Sequence, residues 1–373
     1  MTITKLGMPK FGLVMKEGTV AAWLAEEGAE VSVGDELAEV ETDKINGAVE
    51  APADGVLRRR VARVGEVLPV GALLGVIAEP SVPDAEIDAF IEQFQATFAP
   101  DGGEEDEGPK TQTVTVDGSV IRYAREGDGP VSIVLVHGFG GDLSAWLFNI
   151  EALAGPNRSV YAIDLPGHGG SSKDVGGGTL EELTRAVSGA LEELGIEQAQ
   201  LVGQSLGGAV GIAVAASHPG LVASLTLIAP AGLGPEIDGE FLTAFVAAES
   251  RRELKPVLER LFADPAVVTR QFTDEVLRTK RLDGVDAALG AIAAACFPNG
   301  RQAIDLTGAL AGLDIPVLVI WGADDRILPP AHADAAPRSA RIEIVAGAGH
   351  QPQLEAAGEV NRLLDDFLGS LGA

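Results

Sequence analysis

The chain of 373 residues holds one cysteine, Cys296, which excludes an intrachain disulfide and a thiolate metal cluster. Positive charge is scarce: 27 Lys and Arg stand against 55 Asp and Glu, a net charge of −28. A phosphate backbone repels such a chain, so nucleic acid is excluded as a partner; a solvated surface accounts for most of the acid. Long apolar runs are also missing. No stretch approaches the roughly 18–20 apolar residues of a membrane helix. The opening "MTITKLGMPKF" lacks the basic-then-apolar layout of a signal peptide. A cytoplasmic protein without membrane association is therefore expected. Aromatic residues make up only 5% while 46% of the chain is apolar, so the cores are aliphatic. At this length two domains are the natural expectation.

The first eighty residues repeat weakly at an offset of 37. Gly18, Gly28, Val31, Gly34, Leu37 and Val40 return as Gly55, Gly65, Leu68, Gly71, Leu74 and Ile77. Each half reads as short strands punctuated by glycine turns, which predicts two small sheets related by a pseudo-two-fold axis around one core. Lys44, in "VETDKINGAVEAP", falls where the repeat breaks. That position predicts a tight, exposed turn with the lysine projecting into solvent. The segment "GTVAAWLAEEGAEVSVGDELAEVETDKINGAVEAPADGVL" resembles the lipoyl/biotinyl domain family over nearly all of residues 1–80. The resemblance implies a flattened all-β barrel whose E-T-D-K lysine, here Lys44, accepts the cofactor. The absence of a flanking methionine implies lipoate rather than biotin. Ile45 stands where many lipoyl domains have alanine.

Residues 81–112 form an acidic linker with nine carboxylates and one lysine, and "DGGEEDEGP" within it has the composition of a disordered segment. Yet Ile87, Phe90, Ile91, Phe94 and Phe98 share one face of a helix over about 84–98, with Ser81 and Asp84 as a capping box. Three of twelve phenylalanines lie on this stripe, so something must cover it: a domain of this chain, a partner subunit or another copy. A flexible stretch from 99 to 112 spans about 20 Å as a random coil, which holds the flanking domains at millimolar effective concentration.

From residue 113 to 373 the pattern is α/β. "TVTVDGSVIRYA" reads as a hairpin turning at Asp117-Gly118. "VSIVLVHG", "RSVYAIDLPG", "AQLVGQS", "ASLTLIAP", "IPVLVIWG" and "ARIEIVAG" are short β-branched runs between helical stretches. They fit a mostly parallel sheet with helices on both faces. Gly203-Gln204-Ser205-Leu206-Gly207, between a strand and a helix, is the nucleophile elbow in its required context. The sharp turn leaves no room for side chains at 203 and 207, and Ser205 stands at a helix N-terminus, which favours developing negative charge.

The elbow class orders its triad as serine, acid, histidine. Of the five histidines, His137 and His168 precede the serine and His218 follows too closely. His332 lies in a helix start after Pro329-Pro330, while His350 ends a strand and a glycine-rich loop, so His350 is the expected base. Asp324 and Asp325 both follow a strand, and either could serve as the acid. Residues 231–305, rich in alanine and charge, read as a helical cap, in which Cys296 and Phe297 are packing or tunnel-lining residues.

"VHGFGG", "DLPGHGGSS" and the W-G-x-x-D turn in "VIWGADDRILPP" resemble the α/β-hydrolase family over residues 113–373. That resemblance implies Asp325 as the acid, Phe139 and Leu206 as the donors of the oxyanion hole, and a structural His168. A lipoyl domain joined to an α/β-hydrolase fold resembles the acyltransferase component of acetoin dehydrogenase complexes, although the H-x-x-x-D-G motif of the usual oxo-acid acyltransferase core is absent. The resemblance implies acetyl transfer from lipoate on Lys44 to coenzyme A through Ser205, His350 and Asp325. The implied partners are thiamine-diphosphate-dependent acetoin dehydrogenase subunits and a dihydrolipoyl dehydrogenase; a homo-oligomer is left open, and no metal is expected. Arg251, Arg252 and Lys255 are candidates for the coenzyme A phosphates, against a solvated helix face. A thioesterase or esterase carrying a lipoyl domain, and a lipoyl carrier without catalysis, are the alternatives.

Overall fold

The computed structural model describes residues 3–9, 17–41, 46–98 and 111–371. The chain divides into two compact units, Met1–Gly108 and Pro109–Ala373, and each is taken by itself.

Eight strands build the first unit: β1 (Ile3–Gly7), β2 (Glu17–Trp23), β3 (Glu30–Val31), β4 (Glu36–Glu41), β5 (Asn46–Glu50), β6 (Gly55–Arg60), β7 (Val67–Pro69) and β8 (Leu73–Ala78). They form two antiparallel sheets, ordered β1-β8-β6-β3 and β5-β4-β2-β7. A shift of 37 residues carries β2, β3 and β4 onto β6, β7 and β8, and β5 then takes the edge place of β1. The sequence repeat is thus a pseudo-two-fold pair of sheets. Gly28 and Gly65 have φ of 90° and 84°, and Gly34 and Gly71 have 90° and 80°. The repeated Leu37, Val40, Leu74 and Ile77 are buried in one shared core. Strands β4 and β5 pair with Glu41 opposite Asn46. Residues 42–45, which join them and include Lys44, lie outside the described residues, as does the exposed turn expected there.

Helix Asp84–Thr97 belongs to this unit. Its apolar stripe sets Ile87, Phe90, Ile91 and Phe94 against Ile3, Val61, Leu73 and Val76, so the unit's own sheet covers it. The expected capping box is not formed. The helix starts after Pro83 with no side-chain cap, and the Ser81 hydroxyl donates to Glu79. Arg58 takes the Asp84 carboxylate at 2.6 Å and also donates to the carbonyls of Glu79 and Val82, which ties the incoming chain to β6. This guanidinium holds the Asp84 carboxyl below the usual carboxylate range.

In the second unit, β9 (Thr111–Val116) and β10 (Ser119–Glu126) make a hairpin. Its turn residues Asp117 and Gly118 both have positive φ, 48° and 84°, as a two-residue turn between twisted strands requires. Strands β11 (Val131–Val136), β12 (Arg158–Ile163), β13 (Ala199–Gln204), β14 (Val222–Ile228), β15 (Val317–Gly322) and β16 (Arg341–Val345) complete the sheet. The order is β16-β15-β14-β13-β11-β12-β10-β9, with β11 to β16 parallel. Helices Leu180–Glu193 and Leu206–Ser217 pack on one face, and helix Ala357–Ser370 packs on the other. The strand order reverses at β11, which lies between β12 and β13. In open α/β sheets a reversal of this kind opens a ligand crevice at the carboxyl ends of the strands.

Between β14 and β15 the chain leaves the sheet for helices Gly239–Ala247, Arg251–Leu258, Arg270–Lys280, Val285–Cys296 and Thr307–Ala311. Phe241, Phe245, Leu254, Leu289 and Ile292 from this insertion join the core on the Leu206 side of the sheet. Among the described residues, no helix is long and apolar enough to cross a membrane.

Candidate active site

Strand β13 ends at Gln204, and helix Leu206–Ser217 begins one residue beyond Ser205. The chain reverses at Ser205 itself, which has φ 51° and ψ −115°. Such backbone for a non-glycine residue costs about 1–3 kcal/mol and persists only where the surroundings impose it. Those surroundings are tight. A methyl group at Gly207 would lie 2.5 Å from the carbonyl oxygen of His137, and one at Gly203 would lie 2.6 Å from the Gly207 carbonyl carbon. Ser205 N–H donates to the Ile228 carbonyl at 2.9 Å, and Ser205 O accepts from the N–H groups of Gly208, Ala209 and Ala231. Leu206 is the first residue of its helix, so its N–H is among those a helix cannot satisfy internally.

The loop after β11 lies against this elbow. A Cβ at Gly138 would come within 2.9 Å of Ser205 Cβ. Gly141 N–H donates to Gly138 O at 3.1 Å, closing a turn around Phe139 and Gly140. Gly140 has φ 73°, the positive value that a type II turn needs at its third residue. Two histidines hold this loop. His168 Nε2 accepts the Gly140 N–H at 3.1 Å, while its Nδ1–H donates to Pro166 O at 2.9 Å. His137 donates from Nδ1 to Gly138 O at 2.8 Å and accepts the Leu165 N–H at Nε2, 3.0 Å. Burial pushes His168 down to about 3 and His137 down to about 4, so both rings are neutral acceptors at working pH. The structural part expected of His168 is visible in these bonds. That of His137 went unassigned from the sequence.

Across the sheet, Asp325 follows β15 and His350 follows β16. His350 Nδ1 lies 2.8 Å from Asp325 Oδ2, so Nδ1 carries a proton that the carboxylate accepts. The same carboxylate accepts Trp321 Nε1–H at 3.0 Å and the N–H groups of Ile327 and Leu328 at 2.8 and 3.0 Å. Four donors converge on one buried carboxylate. Asp324 is exposed and makes none of these bonds. Gln204 Nε2 donates to His350 O at 3.0 Å, joining the residue before the serine to the main chain of the histidine. His332 is engaged elsewhere: its Nε2 is 2.9 Å from Glu236 Oε2 and its ring stands edge-on to Trp321.

Comparison with known proteins bears on what this arrangement does. The family profile described as alpha/beta hydrolase fold matches residues 131–357, and the one described as biotin-requiring enzyme matches residues 4–77. A dihydrolipoyllysine-residue acetyltransferase component of acetoin cleaving system from Cupriavidus necator is 49% identical over 99% of this chain and 98% of its own. A protein of the same name from Pseudomonas putida is 50% identical over 98% of each. The chain belongs to this acetyltransferase-component family. Its second unit also shares its fold with a meta-cleavage product hydrolase from Pseudomonas fluorescens, with TM-score 0.64 at 22% identity over 70% of this chain and 98% of that one.

Within this family member, side chains of the insertion between β14 and β15 close over the loop after β11. The Phe139 ring meets Phe245 and Phe297 edge-on, with centroids 6.0 and 6.3 Å apart, and a Cβ at Gly140 would strike the Phe245 ring. Cys296 faces away toward Gly178 O, and burial pushes its thiol up to about 11. The basic residues weighed for phosphate binding are partly committed. Arg251 makes two bonds to Asp274 of 2.6 and 2.7 Å, Lys255 pairs with Glu259, and Arg252 is exposed.

Proposed function

We propose that this chain transfers an acetyl group from a lipoyl arm on Lys44 to coenzyme A within an acetoin dehydrogenase complex, with Ser205 as nucleophile, His350 as base and Asp325 as its orienting acid. The observation that carries this reading is the 2.8 Å bond between His350 Nδ1 and Asp325, together with a serine held at φ 51° in the turn between strand and helix. The names of relatives about half identical over nearly the whole chain supply the substrate class.

The lipoyl group, when attached, supplies the dithiol that carries acetyl as a thioester. Lys44 lies between two strands that pair up to Glu41 and Asn46, a placement that suits an arm needing a fixed base. Ser205 Oγ attacks the thioester carbonyl carbon and gives its proton to His350 Nε2. Asp325 stabilises the resulting imidazolium through Nδ1–H. The N–H groups of Phe139 and Leu206 donate to the oxyanion; losing one such donor costs about 10²–10³ in rate. The C–S bond then breaks, His350 returns its proton to the leaving thiol, and an acetyl ester remains on Ser205. Coenzyme A gives its thiol proton to His350 and attacks that ester; collapse returns the proton to Ser205 Oγ and releases acetyl-CoA. A thiamine-diphosphate-dependent acetoin dehydrogenase would load the arm and a dihydrolipoyl dehydrogenase would reoxidise it.

The test gives the purified chain S-acetyl-dihydrolipoamide with and without coenzyme A, beside Ser205→Ala, and quantifies acetyl-CoA and acetate. Acetyl-CoA formation that falls on the order of 10⁴-fold or more in the variant is expected. Acetate formed regardless of coenzyme A would make the protein a thioesterase. An unaffected Ser205→Ala would move the chemistry elsewhere and leave the chain as a carrier.

A further inference from the structure

The cap is fastened to both loops that carry the proposed base and acid. On the acid side, Asp238 N–H donates to Ile327 O at 2.9 Å. On the base side, His350 N–H donates to Leu261 O at 2.8 Å, and the carboxylate of Glu355 bridges the same two segments. Its Oε2 accepts from Gly349 N–H and its Oε1 from Ala263 N–H, both at 2.6 Å. Glu355 closes the short helix Pro352–Glu355 just after His350. The two main chains touch: a Cβ on Gly349 would lie 2.8 Å from both Leu261 O and Ala263 N. Burial raises the Glu355 carboxyl above its ordinary range, and the N–H groups of Gly349, Ala263 and Asp264 draw it back. Those donors favour the ionised, doubly accepting form.

We propose that Glu355 is a positioning residue that couples the seating of cap residues 261–264 to the main chain carrying His350, and so sets how the acetyl ester on Ser205 divides between a thiol and water. The inference rests on the Ser205–His350–Asp325 reading above. Glu355 touches neither substrate nor reacting atoms. With the cap seated, one charge-assisted bond from Glu355 holds Gly349 and a second holds Ala263, and the residue after Gly349 is held by its own N–H to the cap. When the cap lifts, the same bonds draw the imidazole out of line with Ser205. The base is then competent only while the cap keeps water out. Attack by a thiol gives the thioester and free Ser205; attack by water gives acetate, a proton and free Ser205. A base in place only under a closed cap favours the first.

The test uses the full-length lipoylated chain with Glu355→Gln, Glu355→Asp and Glu355→Ala. Glutamine keeps the shape, but its amide oxygen can accept only one of the two N–H groups and its NH₂ faces the other. For each protein, kcat and KM for S-acetyl-dihydrolipoamide, the ratio of acetyl-CoA to acetate, the labelling rate of Ser205 by a fluorophosphonate, and the melting temperature are measured. In Glu355→Gln, kcat and labelling should fall roughly tenfold, within the range that a displacement of about 1 Å produces. The acetate fraction should rise severalfold while KM stays within about twofold, and Glu355→Asp should recover part of both losses. A variant that melts earlier yet labels and partitions like the unsubstituted protein would overturn the proposal, and so would a loss of rate with an unchanged product ratio. Failure of the unsubstituted chain to make any Ser205-dependent product would sink the transferase reading instead, while the labelling rates would still decide the coupling.

Discussion

Replacing His168 with glutamine isolates one buried imidazole and gives its cost in acid a measurable size. His168 accepts the Gly140 N–H at Nε2 and donates from Nδ1 to Pro166 O, and burial holds it near 3 against an ordinary 6.5. The unfolded chain takes up this proton near 6.5, whereas the folded chain refuses it until about 3. The stability that neutral His168 confers is therefore complete above pH 6.5 and drains away as pH falls toward 3. At pH 4.5, two pH units below the unfolded value, the loss is about 3 kcal/mol at about 1.4 kcal/mol per unit. Glutamine can accept and donate but never titrates, so its curve lacks this slope. Urea unfolding of both proteins at pH 8 and pH 4.5, followed by near-ultraviolet circular dichroism, gives the comparison. Glutamine should be the weaker protein at pH 8, and the gap should narrow by about 3 kcal/mol at pH 4.5. His137, its ring 5.0 Å away, is also pushed down by burial, and a parallel His137→Gln protein gives its own share of the acid slope. Parallel curves would refute the claim that His168 folds as a neutral, water-free acceptor.

Asp325→Asn should leave the fold intact and lower acetyl transfer by about 10⁴-fold, because an amide cannot hold the imidazole in the tautomer that leaves Nε2 free; steady-state kinetics beside a melting curve check both halves. Ile87→Ala removes a fully buried side chain from under helix Asp84–Thr97 and should destabilise the first unit by about 2–5 kcal/mol. Calorimetry should show that loss while fluorophosphonate labelling of Ser205 is unchanged. Lys44→Arg keeps the charge but offers no amine for an amide bond. Mass spectrometry should find no lipoyl adduct, and the assembled complex should make no acetyl-CoA, yet free S-acetyl-dihydrolipoamide should still turn over.

Much of this architecture was readable because its signals are local. Glycines at an offset of 37 specify turns within a few residues, and the two sheets fall out of that repeat. Gly203 and Gly207 flank Ser205 in sequence as they do in space. Chain order set aside His137 and His168, the strand and glycine-rich loop before His350 favoured it over His332, and the structure gives His332 to Glu236. What escaped reading is long-range pairing between side chain and backbone. Glu355 reaches Ala263 across 92 residues and Gln204 reaches His350 across 146, and no spacing rule announces a carbonyl or an N–H. The capping box at Ser81 failed for the same reason: Arg58, 26 residues upstream of Asp84, outbid the local pattern.

That split between near and distant signals bears on the chemistry. Under the proposed function, Ser205, His350, Asp325 and the glycine-rich loop after β11 form acyl-transfer equipment that serves hydrolysis as well as transfer. Nothing in those residues alone chooses between water and a thiol as acceptor. The choice depends on what stands over them, here Phe245 and Phe297 on Phe139 and the segment 261–264 clasped by Glu355. Every one of these contacts joins the insertion between β14 and β15 to a loop at the carboxyl end of β11 or β16. The proposal therefore puts acceptor choice in the joints between cap and core. Substitutions at those joints should shift the product ratio at constant Ser205 chemistry, whereas substitutions in the triad should abolish both products together.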